Sequence, residues 1–486
     1  MGPMLNSQSN NGLSEEDRLL LEGTFTRILD YLTSNSNREV PLATIHSAID
    51  LYTEMDLSIS DGGIDVESLL SDIDAYLQYS VKTSHPHFMN PFWGAPPVPS
   101  LVGEFISALT NTSMYTFEIA PVATLIEQKM IQLMSKFAGY DNGEGTFTSG
   151  GSNGNLMGLL CARDHKFPDA KFSGFTDTPV AFVSVESHYS VEVAANTLGM
   201  GTDNLIAVES DNQGKMNVAD LEAKISEQKA AGKTPFCVIA TSGTTVKGAF
   251  DTLPEIADIC EREEIWLHVD AAWGGAALLS PTTRNLVQGI ERTHSLCWDP
   301  HKMMGMPISC SVFLVNQSGI LKDVCSHSSS AHYLLHKKNA EFDMGRMSLQ
   351  CARRVDALKL WLTWRSVGNQ GWAEKIENYM SLATYLTKQV KQEPTLELVL
   401  EPEFTNVCVR YVGHNLSSQL QDDITNQIRN EMFERGKFMV TKALIDHRPI
   451  LRPVIANPAV DQKSLDKFIS EITTIGARME AVLPQK

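Results

Sequence analysis

An aspartate and a lysine stand 32 residues apart in this chain, each close to the end of a predicted strand, and together they suggest covalent chemistry on a charged ring. Asp270 lies in His268-Val269-Asp270-Ala271-Ala272-Trp273-Gly274-Gly275, after an apolar run from Ile265. A carboxylate at the end of a buried strand is costly to desolvate without a cation facing it. Lys302 closes Trp298-Asp299-Pro300-His301-Lys302, just beyond a second predicted strand. A lone lysine is more often a solvated surface cation, and a lone strand-end aspartate more often a cap. Neither residue argues by itself.

Pyridoxal phosphate would give both a role. Its ring nitrogen must stay protonated to withdraw electrons from a breaking bond, and an aspartate opposite that nitrogen keeps it so. A lysine on the other side can form a Schiff base with it and yield it to a substrate amine. Two further segments suit such a ligand. Thr148-Ser149-Gly150-Gly151-Ser152-Asn153-Gly154-Asn155 precedes an apolar helix, Leu156–Ala162, so backbone amides and a helix start are available to a phosphate. A glycine-rich turn alone is more often only a turn. Ser187-His188-Tyr189-Ser190 follows a strand and can bring an imidazole over a ring, although a lone histidine is usually structural. Ser242-Gly243-Thr244-Thr245 adds hydroxyls after another strand. His85 and His87 flank Pro86 with no further ligands nearby, and no metal site is expected.

The elements that must position these residues follow from hydrophobic periodicity. Between about 140 and 320, β-rich runs at Val180–Val185, Leu205–Val208, Phe236–Thr241, Ile265–Val269, Ser295–Trp298 and Cys310–Val315 alternate with helical ones such as Val218–Ala230 and Leu253–Glu263. That alternation predicts an α/β domain around a largely parallel sheet. Upstream, Glu15–Leu32, Ser68–Val81, Ser100–Leu109 and Val122–Phe137 have helical spacing, and a proline-rich passage from Pro86 to Pro99 marks a candidate boundary. Downstream, a helix is predicted over Gln350–Trp364, followed by mixed helices and strands near Leu396–Leu400 and Asn406–Tyr411. The expected division is an N-terminal helical segment over 1–90, a large cofactor domain over 91–369 and a small C-terminal domain over 370–486.

Bulk properties exclude several function classes. The 486 residues are 43% hydrophobic, enough for a large core, and 40 Lys and Arg against 58 Asp and Glu leave a formal charge of −18. A broad basic face for nucleic acid or anionic lipid is not expected. The eight cysteines show no CxxC pair, as in a reducing compartment. Met1–Asn11 lacks the features of an export signal, and no run of about eighteen apolar residues occurs. A cytoplasmic chain without a membrane span is expected.

Taken together, the four segments resemble the group II pyridoxal-phosphate decarboxylases, in the branch of glutamate and cysteine sulfinate decarboxylases. The resemblance runs from about Ser80 to the C-terminus. It also takes in Asn111-Thr112-Ser113-Met114-Tyr115-Thr116-Phe117-Glu118-Ile119-Ala120-Pro121, Gly201-Thr202-Asp203-Asn204 and the run Cys351–Asp356. It implies the aspartate-aminotransferase type fold, with a homodimer whose active sites lie at the interface and whose N-terminal segment packs on the second subunit. The matching positions imply Gly150, Gly151 and Ser152 at the phosphate with His301 close by, and His188 stacked on the ring. They also imply Thr244 near the ring hydroxyl, Asp270 at the ring nitrogen, Ala272 against its face and Lys302 as the covalent anchor. Tyr333, after a serine-rich stretch about two residues longer than in the animal enzymes, is implied as the proton donor to Cα.

For the substrate, the resemblance implies that Arg452 grips a carboxylate and that Asn90, Trp93, Ser113 and Tyr115 shape the pocket. Pro91 stands where glutamate decarboxylases have glutamine, removing an amide donor. Ser113 and Tyr115 match the cysteine sulfinate enzyme, and bulky Trp93 narrows the pocket. The expectation is α-decarboxylation of a small acidic amino acid, cysteine sulfinate or aspartate ahead of glutamate. The alternatives are an aminotransferase, a decarboxylase of aromatic or diamino acids, and a catalytically silent relative that binds or assembles. Retention of both Asp270 and Lys302 weighs against the silent relative.

Overall fold

The structure is a computed structural model that describes residues 12–35, 37–90, 92–326 and 340–482. Pro91 and Tyr333, both singled out above, lie outside the described residues.

In chain order the strands are β1 (Phe88–Met89), β2 (Glu144–Thr148), β3 (Pro179–Ser184), β4 (Leu205–Val208), β5 (Thr234–Thr241), β6 (Trp266–Asp270), β7 (Ser295–Trp298), β8 (Ser311–Val315), β9 (Leu396–Leu398), β10 (Val409–Tyr411), β11 (Met439–Ile445) and β12 (Arg448–Arg452). Seven of them form one sheet in the order β2-β8-β7-β6-β5-β3-β4. From β7 to β4 all neighbours are parallel, whereas β8 runs antiparallel to both β7 and β2. This is the mostly parallel sheet that the alternating runs predict. Its strands read as continuous apolar runs because both faces are covered. Along β3, Val180 and Phe182 point into one core cluster, and Ala181 and Val183 into the cluster on the other face.

The helix Gly151–Lys166 lies directly on this sheet, packed on β5 to β8. Gly154 and Gly158, one turn apart on its inner side, allow that approach. A Cβ at Gly154 would sit 2.4 Å from Cys297 Cβ, and one at Gly158 would sit 2.6 Å from the His268 ring. The neighbouring Asn155 is thereby brought down onto the ends of β6 and β7.

The second sheet has the order β1-β11-β12-β10-β9. Its edge strand β1 comes from the N-terminal part of the chain and pairs in parallel with β11, Phe88 opposite Met439. The β11–β12 hairpin carries Arg452 at its last position. One long helix, Asp356–Gln392, runs on from the large sheet's flank and breaks at Gly368, whose φ of 67° is left-handed. It begins six residues later than the predicted Gln350, because Cys351–Val355 is irregular, bent at Cys351 and Ala352, and places Arg353 in a buried ion pair with Glu127. Among the described residues no helix is long and apolar enough to cross a membrane. The eight cysteines form no disulfide among the described residues, and all but Cys351 are buried.

Candidate active site

The carboxyl ends of the parallel strands surround a cavity of about 210 Å³. In an open α/β sheet this is where connecting loops part and ligands bind. Residues from all four sequence segments line it: Gly150, Gly151 and Ser152; His188; Asp270 and Ala272; His301 and Lys302. Asp270 and Lys302 thus face one common space.

Asp270 ends β6 and is 7% exposed. Its Oδ2 accepts the Asn155 Nδ2–H at 2.8 Å, and its Oδ1 accepts the Ala272 main-chain N–H at 3.1 Å. The Cys297 thiol lies 3.5 Å from the same Oδ1. Burial alone would raise the Asp270 pKa, but the Lys302 charge, the Asn155 amide and the Ala272 N–H together hold it below the usual carboxylate range. The cavity therefore keeps a full negative charge on its floor.

Lys302 follows β7 on a tight turn, its N–H bonded to Asp299 O at 2.9 Å and its carbonyl accepting from Gly305 at 2.8 Å. Its Nζ lies 3.4 Å from Asp299 Oδ2 and 5.4 Å from the centre of the Phe92 ring. Asp299 also accepts the Ser311 hydroxyl at 2.5 Å and the Gly151 N–H at 3.3 Å. It thereby ties the lysine turn to the glycine turn. His301, whose pKa burial lowers, keeps its Nδ1 2.7 Å from Cys310 O and its Nε2 3.5 Å from Asp299 Oδ2.

Gly150, the N-cap of the helix that starts at Gly151, has no side chain to cap it, so beyond the Gly151 N–H given to Asp299 its first turn is left to an anion in the cavity. Thr241 Oγ1 is buried and without a hydrogen-bond partner among the described residues, and Thr241 also lines the cavity. A negative floor at Asp270, an amine at Lys302, an uncapped glycine-rich helix start and a spare hydroxyl fit a pyridoxal phosphate group.

Arg452 is 2% exposed, and its Nε and Nη1 are buried with no partner among the described residues. Burial lowers its pKa to about 10. Its guanidinium carbon stands 4.9 Å from the centre of the Phe92 ring, the ring that Lys302 also approaches. Phe92 is steadied by Trp273 at 4.7 Å, and Trp273 by a 2.9 Å bond to Asn406 Oδ1.

Other expected site residues stand elsewhere. Thr244 does not line the cavity; its hydroxyl is turned inward to accept the Ala249 N–H at 3.0 Å, and Gly243 and Thr245 line the cavity on either side of it. Asn90 hydrogen-bonds Thr441, and Trp93 is half-buried against the cores. Neither of them lines the cavity, nor do Ser113 and Tyr115, whose segment packs so that a Cβ at Gly345 would meet the Tyr115 ring at 2.4 Å. Cavity residues that the sequence did not single out for a role are Phe92, Ser149, Asn155, Ser190, Thr241, Gly243, Thr245, Trp273 and Asp299. Most sit inside the motifs already quoted, one or two positions from a chosen residue. His85 and His87 are buried in the N-terminal segment, bonded to Val40 O and Lys437 O, and His87 stacks on Phe438 at 4.1 Å.

A mostly parallel sheet of this order with a carboxylate and a lysine across one cavity defines a fold-type I pyridoxal-phosphate enzyme. The conserved domain of pyridoxal-dependent decarboxylases matches residues 50–412, and the chain belongs to that family. Rat cysteine sulfinic acid decarboxylase is 40% identical over 441 residues, covering 88% of this chain and 89% of the rat protein. Bovine acidic amino acid decarboxylase GADL1 is 38% identical over 449 residues, covering 88% and 85%. The crystal structure of mouse CSAD superposes with a TM-score of 0.90 at 36% identity, over 94% of this chain and 98% of the mouse chain.

Proposed function

We propose that the protein decarboxylates a short acidic amino acid, cysteine sulfinate or aspartate in preference to glutamate. The observation that carries a carboxylate-bearing substrate is Arg452, outside the cavity lining, a buried guanidinium with two nitrogens unpartnered among the described residues beside the ring that also flanks Lys302. A buried cation with open donors is stable only when an anion completes it, and a planar guanidinium matches a carboxylate. The 40% and 38% identical relatives named for acidic substrates support the same choice.

Pyridoxal phosphate, when bound, supplies the electron sink for loss of the α-carboxylate. Lys302 would be its covalent anchor, exchangeable for a substrate amine, and Asp270 would keep its ring nitrogen charged. Gly150, Gly151 and Ser152 would hold the phosphate with His301 near, while His188 and Ala272 would flank the ring. Thr245, which lines the cavity where Thr244 does not, is the better candidate for the ring hydroxyl. Arg452 fixes a substrate carboxylate so that the reacting bond is presented in one orientation. Tyr333 returns the proton to Cα, and Asn90 and Trp93 shape the pocket from outside the cavity wall.

The reading includes a homodimer. The helices Glu15–Ser34, Ala48–Glu54 and Val66–Tyr79 bury no residue, and Phe25, Leu29, Ile49, Tyr52, Phe105 and Leu109 leave large apolar side chains exposed. Ser113 and Tyr115 then serve the cavity of a second copy. It also includes the division into 1–90, 91–369 and 370–486, for which the break at Gly368 is support, and a cytoplasmic location, for which eight cysteines with no disulfide among the described residues are support.

Product analysis after incubation with a mixture of glutamate, aspartate and cysteine sulfinate tests the proposal. Hypotaurine or β-alanine should form first; γ-aminobutyrate forming fastest would overturn the substrate order.

A further inference from the structure

Beneath the cavity runs a chain of polar side chains in which every proton can be placed. Its far end is the buried Trp266 indole, whose Nε1–H donates to Ser295 Oγ at 2.9 Å. Ser295 Oγ lies 2.9 Å from His268 Nδ1, and His268 Nε2 lies 3.1 Å from Asn155 Oδ1. Asn155 Nδ2 reaches Asp270 Oδ2 at 2.8 Å and Ser190 Oγ at 2.9 Å. Ser190 Oγ in turn lies 2.8 Å from His188 Nδ1.

Groups with only one possible role fix the direction throughout. The ionised Asp270 can only accept, so Asn155 must turn its NH2 toward it and its carbonyl toward His268. A carbonyl there requires the proton of His268 on Nε2. Burial keeps His268 neutral, its pKa lowered to about 4, so its Nδ1 is an acceptor and takes the Ser295 hydroxyl proton. The Ser295 oxygen is then free to accept from an indole that can do nothing but donate. The assignment begun at Asp270 thus meets Trp266 without conflict. At the other end, Ser190 Oγ accepts the second Asn155 N–H and turns its own proton to His188 Nδ1. The Ser190 main-chain N–H, also a pure donor, points at the same nitrogen at 3.2 Å. Burial, with Lys302, lowers the His188 pKa against the opposing pull of Asp270 and Asp299, so the ring carries a single proton.

We propose that His188 is locked as the Nε2–H tautomer and offers that N–H to an anionic oxygen of the substrate, a carboxylate, with Ser190, Asn155, His268 and Ser295 as positioning residues that hold the tautomer from below. The donor role rests on the decarboxylase reading, whereas the tautomer stands on the hydrogen bonds, above all the Ser190 main-chain N–H aimed at Nδ1, with burial keeping both rings neutral. An Nε2 that already carries its proton cannot accept another in the cavity, so His188 is a donor there and not the base.

The test is heteronuclear NMR of histidine-labelled protein, with and without pyridoxal phosphate, His188 being assigned from a His188→Gln control. Wild type should show a protonated Nε2 and a bare Nδ1 on His188. Ser295→Ala should disturb the His188 signals, shift the visible band of the cofactor-loaded enzyme and lower kcat/KM roughly tenfold, as loss of one hydrogen bond in a charged network does. Trp266→Phe removes more volume but leaves the Ser295 proton in place, and should disturb His188 less. A merely structural role predicts the reverse order, so that order would overturn the positioning claim. A proton on His188 Nδ1 in the wild type would overturn the whole proposal, and that measurement stands even if Ser295→Ala fails to fold. A correct tautomer in an enzyme that releases no carbon dioxide would sink the donor role and the decarboxylase reading while leaving the lock itself supported.

Discussion

The Asn155 side-chain amide and the Asp270 carboxylate meet at 2.8 Å, one delivered by a helix and the other by a strand that Gly154 and Gly158 allow to touch. The carboxylate that the chemistry needs ionised is thus held so by the Lys302 charge and by a neutral donor that sits in the glycine-rich segment 115 residues upstream.

Removing either end of the Asp270–Lys302 pair should abolish function in distinguishable ways. Asp270→Ala should lower kcat by about two to three orders of magnitude, the cost of breaking a buried charged arrangement at about 1.4 kcal/mol per factor of ten. Lys302→Ala should leave no cofactor-bearing peptide after borohydride reduction. Reduction followed by peptide mass spectrometry checks this, and a label on any other lysine refutes the assignment.

Arg452→Met should raise KM for an acidic substrate at least roughly tenfold and should stabilise the ligand-free fold, because it removes a buried cation that has no anion among the described residues. Arg452→Lys keeps the charge but loses the planar fork and should recover only part of the affinity. Steady-state kinetics beside thermal melts separate these outcomes. A less stable Arg452→Met protein would show that the guanidinium has an internal partner.

Stability should fall as pH drops from about 6.5 toward 4. Burial lowers His87, His268 and His294 to about 4, so between the unfolded value near 6.5 and that value the unfolded chain binds more protons than the folded one. Each group contributes at most about 1.4 kcal/mol per pH unit in that window. Asp251 opposes them: burial raises it to about 6, so over the window above its ordinary value the folded state holds the extra proton. His85, His188 and His301 are lowered by burial as well, and Asp356 is raised like Asp251, so six histidines against two carboxyls leave a net loss on acidification. Melting temperatures of the wild type and His87→Gln from pH 7 to 4.5 give the check, the variant being expected to show the shallower decline.

Glu127→Ala should destabilise the fold by roughly 3–5 kcal/mol, because it strands Arg353 without its buried partner. The pair is bonded at 2.9 Å, with Glu127 fully buried, and Arg353 also donates to Phe147 O in β2, the strand leading into the Ser149–Ser152 turn. Denaturant unfolding measures it, and a loss under about 1 kcal/mol would mean that water reaches the pair.

The sequence made the sheet and its chemistry visible for the same reason: parallel strands buried on both faces are unbroken apolar runs, and the functional residues follow them immediately. Leu205–Val208 and Ser295–Trp298 were therefore predictable to the residue, and Asp270 and Lys302 fell where expected relative to β6 and β7. Strand β2 escaped because Glu144-Gly145-Thr146-Phe147-Thr148 has no apolar run, and it is a strand only because β8 pairs with it. Phe92 was invisible as a cavity residue because its place depends on Trp273 and Arg452, both remote in sequence. Thr244 and Thr245 are indistinguishable by type, and only the inward bond to Ala249 decides which one faces the cavity.

The pairing of β1 with β11 carries a consequence for biogenesis. The first ninety residues contain a strand whose mate is synthesised about 350 residues later, so its backbone hydrogen bonds cannot close until β11 has also left the ribosome. The emerging leader, with three helices that bury nothing of their own, must spend translation exposed.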